Sequence, residues 1–317
     1  MERRYTTLRQ SIRNSDSGFT LLEVLVSIFI ASIVIGMAFS AVLYNRKLYL
    51  EDQARNKVNQ NLRAAIDLVG TDIKQAGERL TDPKIPVIQV TRNANGTSEL
   101  ILLRNLIGTV LPVCGTINAG SNTDVVFVAD RSANPPAGCT PVPDANNDGW
   151  PDNLEVWRNY RCAQDKVTGC QGNASEVVRA YIYDGNGKGE FFTYDADDNS
   201  NFKIHKSNST FWQNNYSTNS SIYLIEERHY TLQNNTLKLI TNGTVTQNLV
   251  NELASFQANV LMSSNQLKDT FPGAGESWQQ LQSLQVTLTV KDTSKGLIKA
   301  KNLQISGHFF PRNVLSR

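Results

Sequence analysis

From Val24 to Asn45 the chain carries no charged residue, and Val-Leu-Val-Ser-Ile-Phe-Ile-Ala-Ser-Ile-Val-Ile forms the centre of that stretch. A helix of about 20 such residues crosses a bilayer, so this is a membrane segment. Arg3, Arg4, Arg9 and Arg13 precede it, and the positive-inside tendency places everything after Arg46 on the outer side of the membrane. Apolar residues then recur at Val58, Leu62, Ala65, Ile66, Val69, Ile73 and Ala76, in steps of three and four that predict an amphipathic helix. Gly77 is placed to cap it, and Pro83 and Pro86 prevent its continuation. Phe19 to about Gly77 therefore reads as one long helix, apolar all round in its first half and one-faced in its second. Beyond Thr81 the period shortens. Runs at Pro86–Val90, Glu99–Leu103, Asp124–Ala129, Val177–Tyr183, Ile222–Glu226, Leu284–Val290 and Leu303–Phe309 predict strands. His229–Leu232 and Thr236–Ile240 bracket Gln-Asn-Asn, a hairpin signal. Leu249–Val260 fits strand or helix equally. The expected class is α+β, a long N-terminal helix followed by an antiparallel sheet.

The chain has 317 residues, of which 40% are hydrophobic and 19% charged, enough to bury a sizeable core. Its formal charge is +2, but residues 1–18 contain four arginines against Glu2 and Asp16, so 4 − 2 = +2 resides there. The remainder is neutral and offers no broad electrostatic footprint for nucleic acid. The four cysteines Cys114, Cys139, Cys162 and Cys170 all follow the apolar stretch, and none makes a Cys-x-x-Cys pair. That points to disulfides in an exported domain. Four cysteines allow three pairings, with Cys139–Cys162 and Cys162–Cys170 as the two local alternatives considered for Cys162. The histidines His205, His229 and His308 sit in no nucleophile elbow and have no metal-motif spacing, and no Gly-rich phosphate loop is present. An enzyme is not expected.

A cleavable secretory signal is the competing reading of the N-terminus, since Ala38-Phe39-Ser40 offers a small-x-small site. The apolar run is too long for that, and Glu23 lies just inside it. A carboxylate in a membrane segment requires a partner. Ser17-Gly18-Phe19-Thr20-Leu21-Leu22-Glu23-Val24 resembles the prepilin processing site of type IV pilins, a Gly-Phe-Thr-Leu-x-Glu signature. The resemblance implies cleavage after Gly18 by an inner-membrane prepilin peptidase, N-methylation of Phe19, and pairing of Glu23 with the terminal amine of a neighbouring subunit. It also implies the type IV pilin fold, with the helix packed on an antiparallel sheet. The stretch Asn61–Gly77 and the ending Gly307-His-Phe-Phe-Pro-Arg-Asn-Val-Leu315 resemble minor pilins of the PilW type. Major pilins of this family carry a helix-breaking proline in the membrane half; here only Gly36 interrupts it.

The expected organisation is a basic leader over 1–18, an assembly helix over 19–45, an amphipathic helix over 46–80 and an exported domain over 81–317, with an insertion at about 105–175. By resemblance, the function is that of a minor pilin initiating or capping a type IV pilus used in adhesion, twitching motility or DNA uptake. Its partners are other minor pilins, the major pilin, the prepilin peptidase, the inner-membrane assembly platform and a tip adhesin. It resides in the inner membrane before assembly and in the extracellular fibre afterwards. A J-type pseudopilin of type II secretion shares the same signature, and a membrane-tethered calcium-dependent adhesive module is the third reading.

Within the insertion, Asp144-Ala-Asn146-Asn-Asp148-Gly149-Trp150-Pro-Asp152-Asn-Leu-Glu155 matches the EF-hand calcium loop at every specified position. Hard oxygen donors at alternating positions are what calcium needs, so Asp144, Asn146, Asp148, the Trp150 carbonyl, Asp152 and a bidentate Glu155 are the expected ligands. Pro141 and Pro143 argue against an entering helix. Asp184-Gly-Asn-Gly-Lys188-Gly-Glu190 puts a lysine where an oxygen belongs and reads as a hairpin turn. The aromatic residues Phe191, Phe192, Tyr194, Phe202, Phe211, Trp212 and Tyr216 are expected to pack in a core.

Overall fold

A computed structural model of the chain describes residues 19–130, 132–140, 143–164, 178–207, 210–291 and 303–315. It divides into two compact units, one ending at Asn56 and one spanning Lys57–Arg317. The predicted leader, with Gly18, lies outside the described residues, as does Cys170. Helix α1 (Leu21–Gln75) contributes to both units. From Val24 to Asn45 its residues are exposed and uncharged, and the helix is long and apolar enough to cross a membrane by length and composition.

In the second unit α1 presents Leu62, Ala65, Ile66, Val69 and Ile73 to the core, the stripe read from the sequence. Gly77 follows in the left-handed region (φ +77°) and donates its N–H to the Leu103 carbonyl. Asn313 Nδ2 donates to the Ala76 carbonyl at 3.0 Å, so a residue near the far end of the chain helps satisfy the helix C-terminus.

The chain next forms the hairpin β1 (Ile88–Arg92) and β2 (Ser98–Asn105). It then leaves this sheet for β3 (Leu111–Pro112), β4 (Val125–Phe127), α2 (Asp152–Cys162), β5 (Val178–Tyr183), β6 (Gly189–Asp198), β7 (Lys203–Lys206) and β8 (Ser221–Tyr223). It returns as β9 (Ile225–Gln233), followed by β10 (Thr236–Thr241) and β11 (Val245–Val250). A third group comprises β12 (Leu253–Met262), β13 (Leu267–Lys268), β14 (Leu281–Val290) and β15 (Gln304–Phe309), before the short helix α3 (Arg312–Leu315).

Three antiparallel sheets result, ordered β1-β2-β9-β10-β11, β13-β12-β14-β15 and β3-β8-β5-β6-β7-β4. The first two cover the helix stripe in one core, with Phe256, Leu284, Val286 and Trp278 at its centre. The third builds a separate core around Trp157, Tyr194, Trp212 and Tyr216. Its edge strands meet just beyond their ends, where the Cys114 N–H donates to the Phe127 carbonyl at 2.7 Å.

β2 pairs with β9 up to Asn105↔Ile225. Everything between them, residues 106–224, is thus an insertion at the adjacent ends of two bonded strands, larger than the 105–175 expected. The expected Ile222–Glu226 strand is in fact β8 and the start of β9, which belong to different sheets and break at Leu224. Leu249–Val260 resolves into the end of β11 and most of β12. The Gln-Asn-Asn hairpin is present, with Asn234 and Asn235 both at positive φ (51° and 58°) between β9 and β10. Asp184–Lys188 is likewise a hairpin turn, in which Asp184 Oδ1 accepts from the N–H groups of Asn186 and Lys188.

Candidate functional site

Three places hold the residues singled out in the sequence. At the start of α1, Phe19 is 85% exposed. Thr20 and Glu23 form reciprocal contacts. The Thr20 N–H and hydroxyl both donate to Glu23 Oε2 at 3.3 Å, and the Glu23 N–H donates to Thr20 Oγ1 at 3.3 Å. This is a capping box, Thr-x-x-Glu, which satisfies a helix N–H that α1 cannot pair internally. Glu23 therefore has a role inside its own chain besides the intersubunit one expected of it. The Thr-Leu-Leu-Glu spacing carried that signal in plain sight.

On the packed part of α1, Asp72 is a polar residue missed by the sequence reading. It follows Val69 by three positions, on the buried stripe, and is 8% exposed. Tyr230 of β9 donates its hydroxyl to Asp72 Oδ2 at 2.5 Å, and Arg228 lies 3.8 Å from the same oxygen. Burial, and then the Asp72 charge, push the Tyr230 phenol far above its ordinary range. Arg228 also pairs with Glu226 at 3.2 Å, and Glu226 with Arg104 at 2.6 Å. The signal was an acid at a position the period assigns to the core.

The third place is the loop Asp144–Glu155. Asn147 and Gly149 adopt positive φ (56° and 89°), the sharp turn that the glycine permits. Asp144 accepts from the N–H groups of Asp148 (3.1 Å) and Gly149 (2.8 Å), and Asp148 accepts from Trp150 N–H at 2.9 Å. Asp152 accepts from Ala145 N–H at 3.1 Å, and Asn146 Nδ2 donates to Glu155 Oε2 at 3.3 Å. Asn146 and the four carboxylates are thus brought onto one loop and linked across it, and all the side-chain donors are hard oxygens of the kind calcium takes. Their oxygens are spent on the loop's own N–H groups. Among the described residues, no three of His, Cys, Asp and Glu gather as a metal-holding group.

The last four residues of this loop run into α2, a helix the sequence reading did not anticipate. Leu154, Trp157 and Arg161 are its buried face. Trp157 Nε1 donates to the Thr109 carbonyl at 2.9 Å, and Arg161 binds Asp197 of β6 at 2.5 Å, each side chain 3% exposed. Asn199 Nδ2 donates to the Gly149 carbonyl at 2.9 Å and so fastens the loop to the β6–β7 turn.

Cys114 and Cys139 form a disulfide, so Cys139 does not pair with Cys162 across the loop as one alternative had it. Cys162, on α2, is also disulfide-bonded. Of the aromatic residues, Phe192, Tyr194, Phe202, Trp212 and Tyr216 are buried, Phe191 is half-buried, and Phe211 is exposed.

Residues 13–39 match the family described as the prokaryotic N-terminal methylation motif. The match brackets Gly18, Phe19 and Glu23, and gives the chain a type IV pilin-like prepilin signature. Neither the curated proteins nor the solved structures yield a match.

Proposed function

We propose that this chain is a minor pilin of PilW type, a structural and non-enzymatic subunit that helps initiate or cap a type IV pilus. The observation that carries the proposal is the methylation motif over residues 13–39, set on a helix that begins at Leu21, holds a carboxylate at Glu23 and carries no charge from Val24 to Asn45. In this reading Val24–Asn45 anchors the chain in the inner membrane with its C-terminal domain exported, and later packs against other pilin helices in the fibre. Glu23 meets the methylated amine of Phe19 from a neighbour. An amine of reference pKa about 8 is cationic at neutral pH, which makes it a fitting partner for a carboxylate at the same depth. The partners are the prepilin peptidase, the assembly platform, the other minor pilins, the major pilin and a tip adhesin.

Calcium has a structural place in this proposal. Asp144, Asn146, Asp148, the Trp150 carbonyl, Asp152 and Glu155 would hold it, and it would relieve the repulsion among four acids on one loop. The test of the proposal is the N-terminal mass and sequence of the protein from cells with and without prepilin peptidase, for wild type and Gly18→Ala. A mature chain starting at methylated Phe19 only when both the peptidase and Gly18 are present supports it. Cleavage after Ser40, or none, rejects it.

A second role rests on a separate observation, the second core formed within residues 106–224. A body inserted at neighbouring strand ends suits recognition of a surface, while the rest of the chain serves assembly. Replacing 106–224 by a two-residue turn, in cells shown by immunoblot to retain the protein, should leave fibres and remove adhesion. Loss of fibres at normal protein level rejects that division of labour.

A further inference from the structure

All four cysteines, Cys114, Cys139, Cys162 and Cys170, fall within the inserted residues 106–224, and the rest of the chain has none. The six-stranded sheet of the insertion ends on β3 and β4, which are two and three residues long. Open edges invite pairing with other chains, and a sheet closed on itself removes them. Here the two edges close on each other through very little. The Cys114 N–H donates to the Phe127 carbonyl at 2.7 Å, and among the described residues this is the only backbone hydrogen bond between 111–115 and 124–128. The flanking junctions are firmer. β3 is continued along β8 by the Val113 N–H on the Ser220 carbonyl and by reciprocal bonds of 2.9 Å between Ile117 and Tyr216. β4 pairs with β7 at three residues, and the Val128 N–H adds a bond to the Phe202 carbonyl. The line between β3 and β4 is therefore the weakest seam of the closed sheet.

The Cys114–Cys139 disulfide lies on that seam. Cys139 sits beside the exit of β4, where its carbonyl accepts from the Asp130 N–H at 2.8 Å, so the bond ties the end of β3 to the far side of the seam. Val113, Val126 and Val128 lie behind it, each at most 2% exposed. A single hydrogen bond contributes little net stability, so the covalent link is what keeps these valines from water. Cys139 is fully buried and Cys114 half-buried, which leaves Cys114 as the sulfur that an attacking thiolate meets first.

We propose that Cys114–Cys139 is a redox clasp. The disulfide holds the inserted sheet shut, the dithiol form lets β3 and β4 part, and the host fold, which has no cysteine, is indifferent to the change. Opening takes a dithiol reductant. Its thiolate attacks Cys114 Sγ and expels the Cys139 thiolate, leaving a mixed disulfide on Cys114. The second thiol of the reductant then displaces Cys114 and closes a disulfide within the reductant, so two electrons and two protons pass to the two cysteines. Closing is the reverse exchange with a disulfide-bearing oxidant. A body of this kind shuts only on leaving a reducing compartment, while the fold around α1 forms without regard to it. Only residues of the second unit are involved, so the inference stands apart from the reading of the N-terminus.

The test uses the full chain in detergent micelles, held in dithiothreitol without denaturant, with an aliquot alkylated by iodoacetamide to show that the bond is broken. Hydrogen–deuterium exchange read by mass spectrometry should quicken at least about tenfold over residues 111–118 and 124–130, and stay within about twofold over Leu62–Ala76 and β14. Oxidised glutathione, added after the reductant is removed, should restore slow exchange. Cys162→Ser with Cys170→Ser leaves the clasp as the one disulfide the chain can form, and reduction should act there as in wild type. Cys114→Ser with Cys139→Ser should exchange fast at the seam without reductant. Reduced wild type decides the matter if either variant fails to accumulate. A bond that resists excess dithiothreitol in the folded protein overturns the proposal, as does a seam whose exchange is unchanged once the bond is broken. Quickening spread evenly through β5, β6 and the host strands also overturns it, since the bond would then be a general staple and not a clasp.

Discussion

Gly70 and Gly307 form a slot for the ring of Phe309, and filling that slot gives a sharp test of how α1 is seated on the sheet. A Cβ built at Gly70 would stand 2.1 Å from Phe309 Cε1 and 2.5 Å from Cδ1. Carbon atoms pack at about 3.5 Å or more, so the ring would have to retreat by roughly 1.4 Å. Gly307 makes room on another side of the ring, since a Cβ there would meet Phe309 Cζ at 2.5 Å. Two effects oppose each other in Gly70→Ala. Alanine gains about 1 kcal/mol over glycine as a helix former, and overpacking of a well-filled site costs about 1–3 kcal/mol. The 2.1 Å approach puts the cost in the upper half of that range, about 2–3 kcal/mol, so we expect a net loss of about 1–2 kcal/mol, and more than about 3 kcal/mol for Gly70→Leu. In a Phe309→Ala background the obstruction is gone, and Gly70→Ala should become stabilising by up to about 1 kcal/mol. The coupling of about 2 kcal/mol between the two sites is what a double-mutant cycle reads. Urea unfolding of the full chain in micelles, followed by tryptophan fluorescence, supplies all four corners. If Gly70→Ala is as stable as wild type while Phe309 is present, the slot is not what seats the helix.

Four further outcomes follow from the structure. Burial pushes Tyr181 up to about 12 and drives Tyr194, Tyr216 and Tyr230 higher still; a phenol whose folded pKa is raised lends its full stability below the unfolded value of about 10 and loses it above. Urea midpoints should therefore be insensitive to these groups up to about pH 9.5 and fall steeply by pH 11, with each such tyrosine costing about 1.4 kcal/mol there. The Cys114–Cys139 bridge closes a segment of sequence separation 25, so Cys114→Ala with Cys139→Ala should cost about 3.5 kcal/mol on the chain-entropy scale, read as a lowered unfolding midpoint. Replacing EGTA by 5 mM calcium should stabilise the chain by about 1–2 kcal/mol if the loop binds in the 10⁻⁴ to 10⁻³ M range, and Glu155→Gln should erase that difference. Asp197→Ala leaves the Arg161 guanidinium buried without its carboxylate and should cost about 3–5 kcal/mol, seen as faster hydrogen exchange across α2 and β6.

The long helix was legible because its two halves obey two simple rules, an unbroken apolar run and then a 3.6-residue stripe, and the buried hydrophobic residues from Leu62 to Ala76 are those the stripe named. α2 was hidden for a reason visible in its own burial. Its inner face is Leu154, Trp157 and Arg161, and an arginine at the third position breaks the apolar period. That position becomes interior only because Asp197 waits 36 residues further along the chain, a pairing no local window contains. β11 was unreadable alone because four of its six residues face solvent, so no alternation exists to detect. The loop Asp144–Glu155 was recognised from residue types and spacing, and the structure adds that its acids already bond the turn that carries them. The capping role of Glu23 and the buried place of Asp72 were both written at helical spacings, at three residues from Thr20 and from Val69, but polarity drew the eye to solvent and partners instead.

The neck of the insertion decides what the inserted body can transmit. A chain that leaves and re-enters a sheet at paired residues, Asn105 and Ile225, closes the host fold at little entropic cost whatever lies between. Such a junction is a hinge by default, since two strands crossing into a second core carry few contacts. Here it is stitched. The Leu106 N–H donates to the Leu224 carbonyl at 2.8 Å, the Asn105 N–H to the Glu78 carbonyl at 3.0 Å, and Arg79 Nη1 to the Leu106 carbonyl at 2.6 Å. Arg104 binds both Glu226 of β9 and Gln75 in the last turn of α1. Tyr181, Tyr183 and Tyr223 belong to the inserted strands yet pack into the host core. Both crossing strands are therefore tied to the C-terminal end of the α1 helix, in a neck where bending would break several hydrogen bonds at once. A force applied to the inserted body is delivered to the end of α1 instead of being absorbed at the junction, which is the property a subunit needs if one part of it holds a surface and another is built into a fibre.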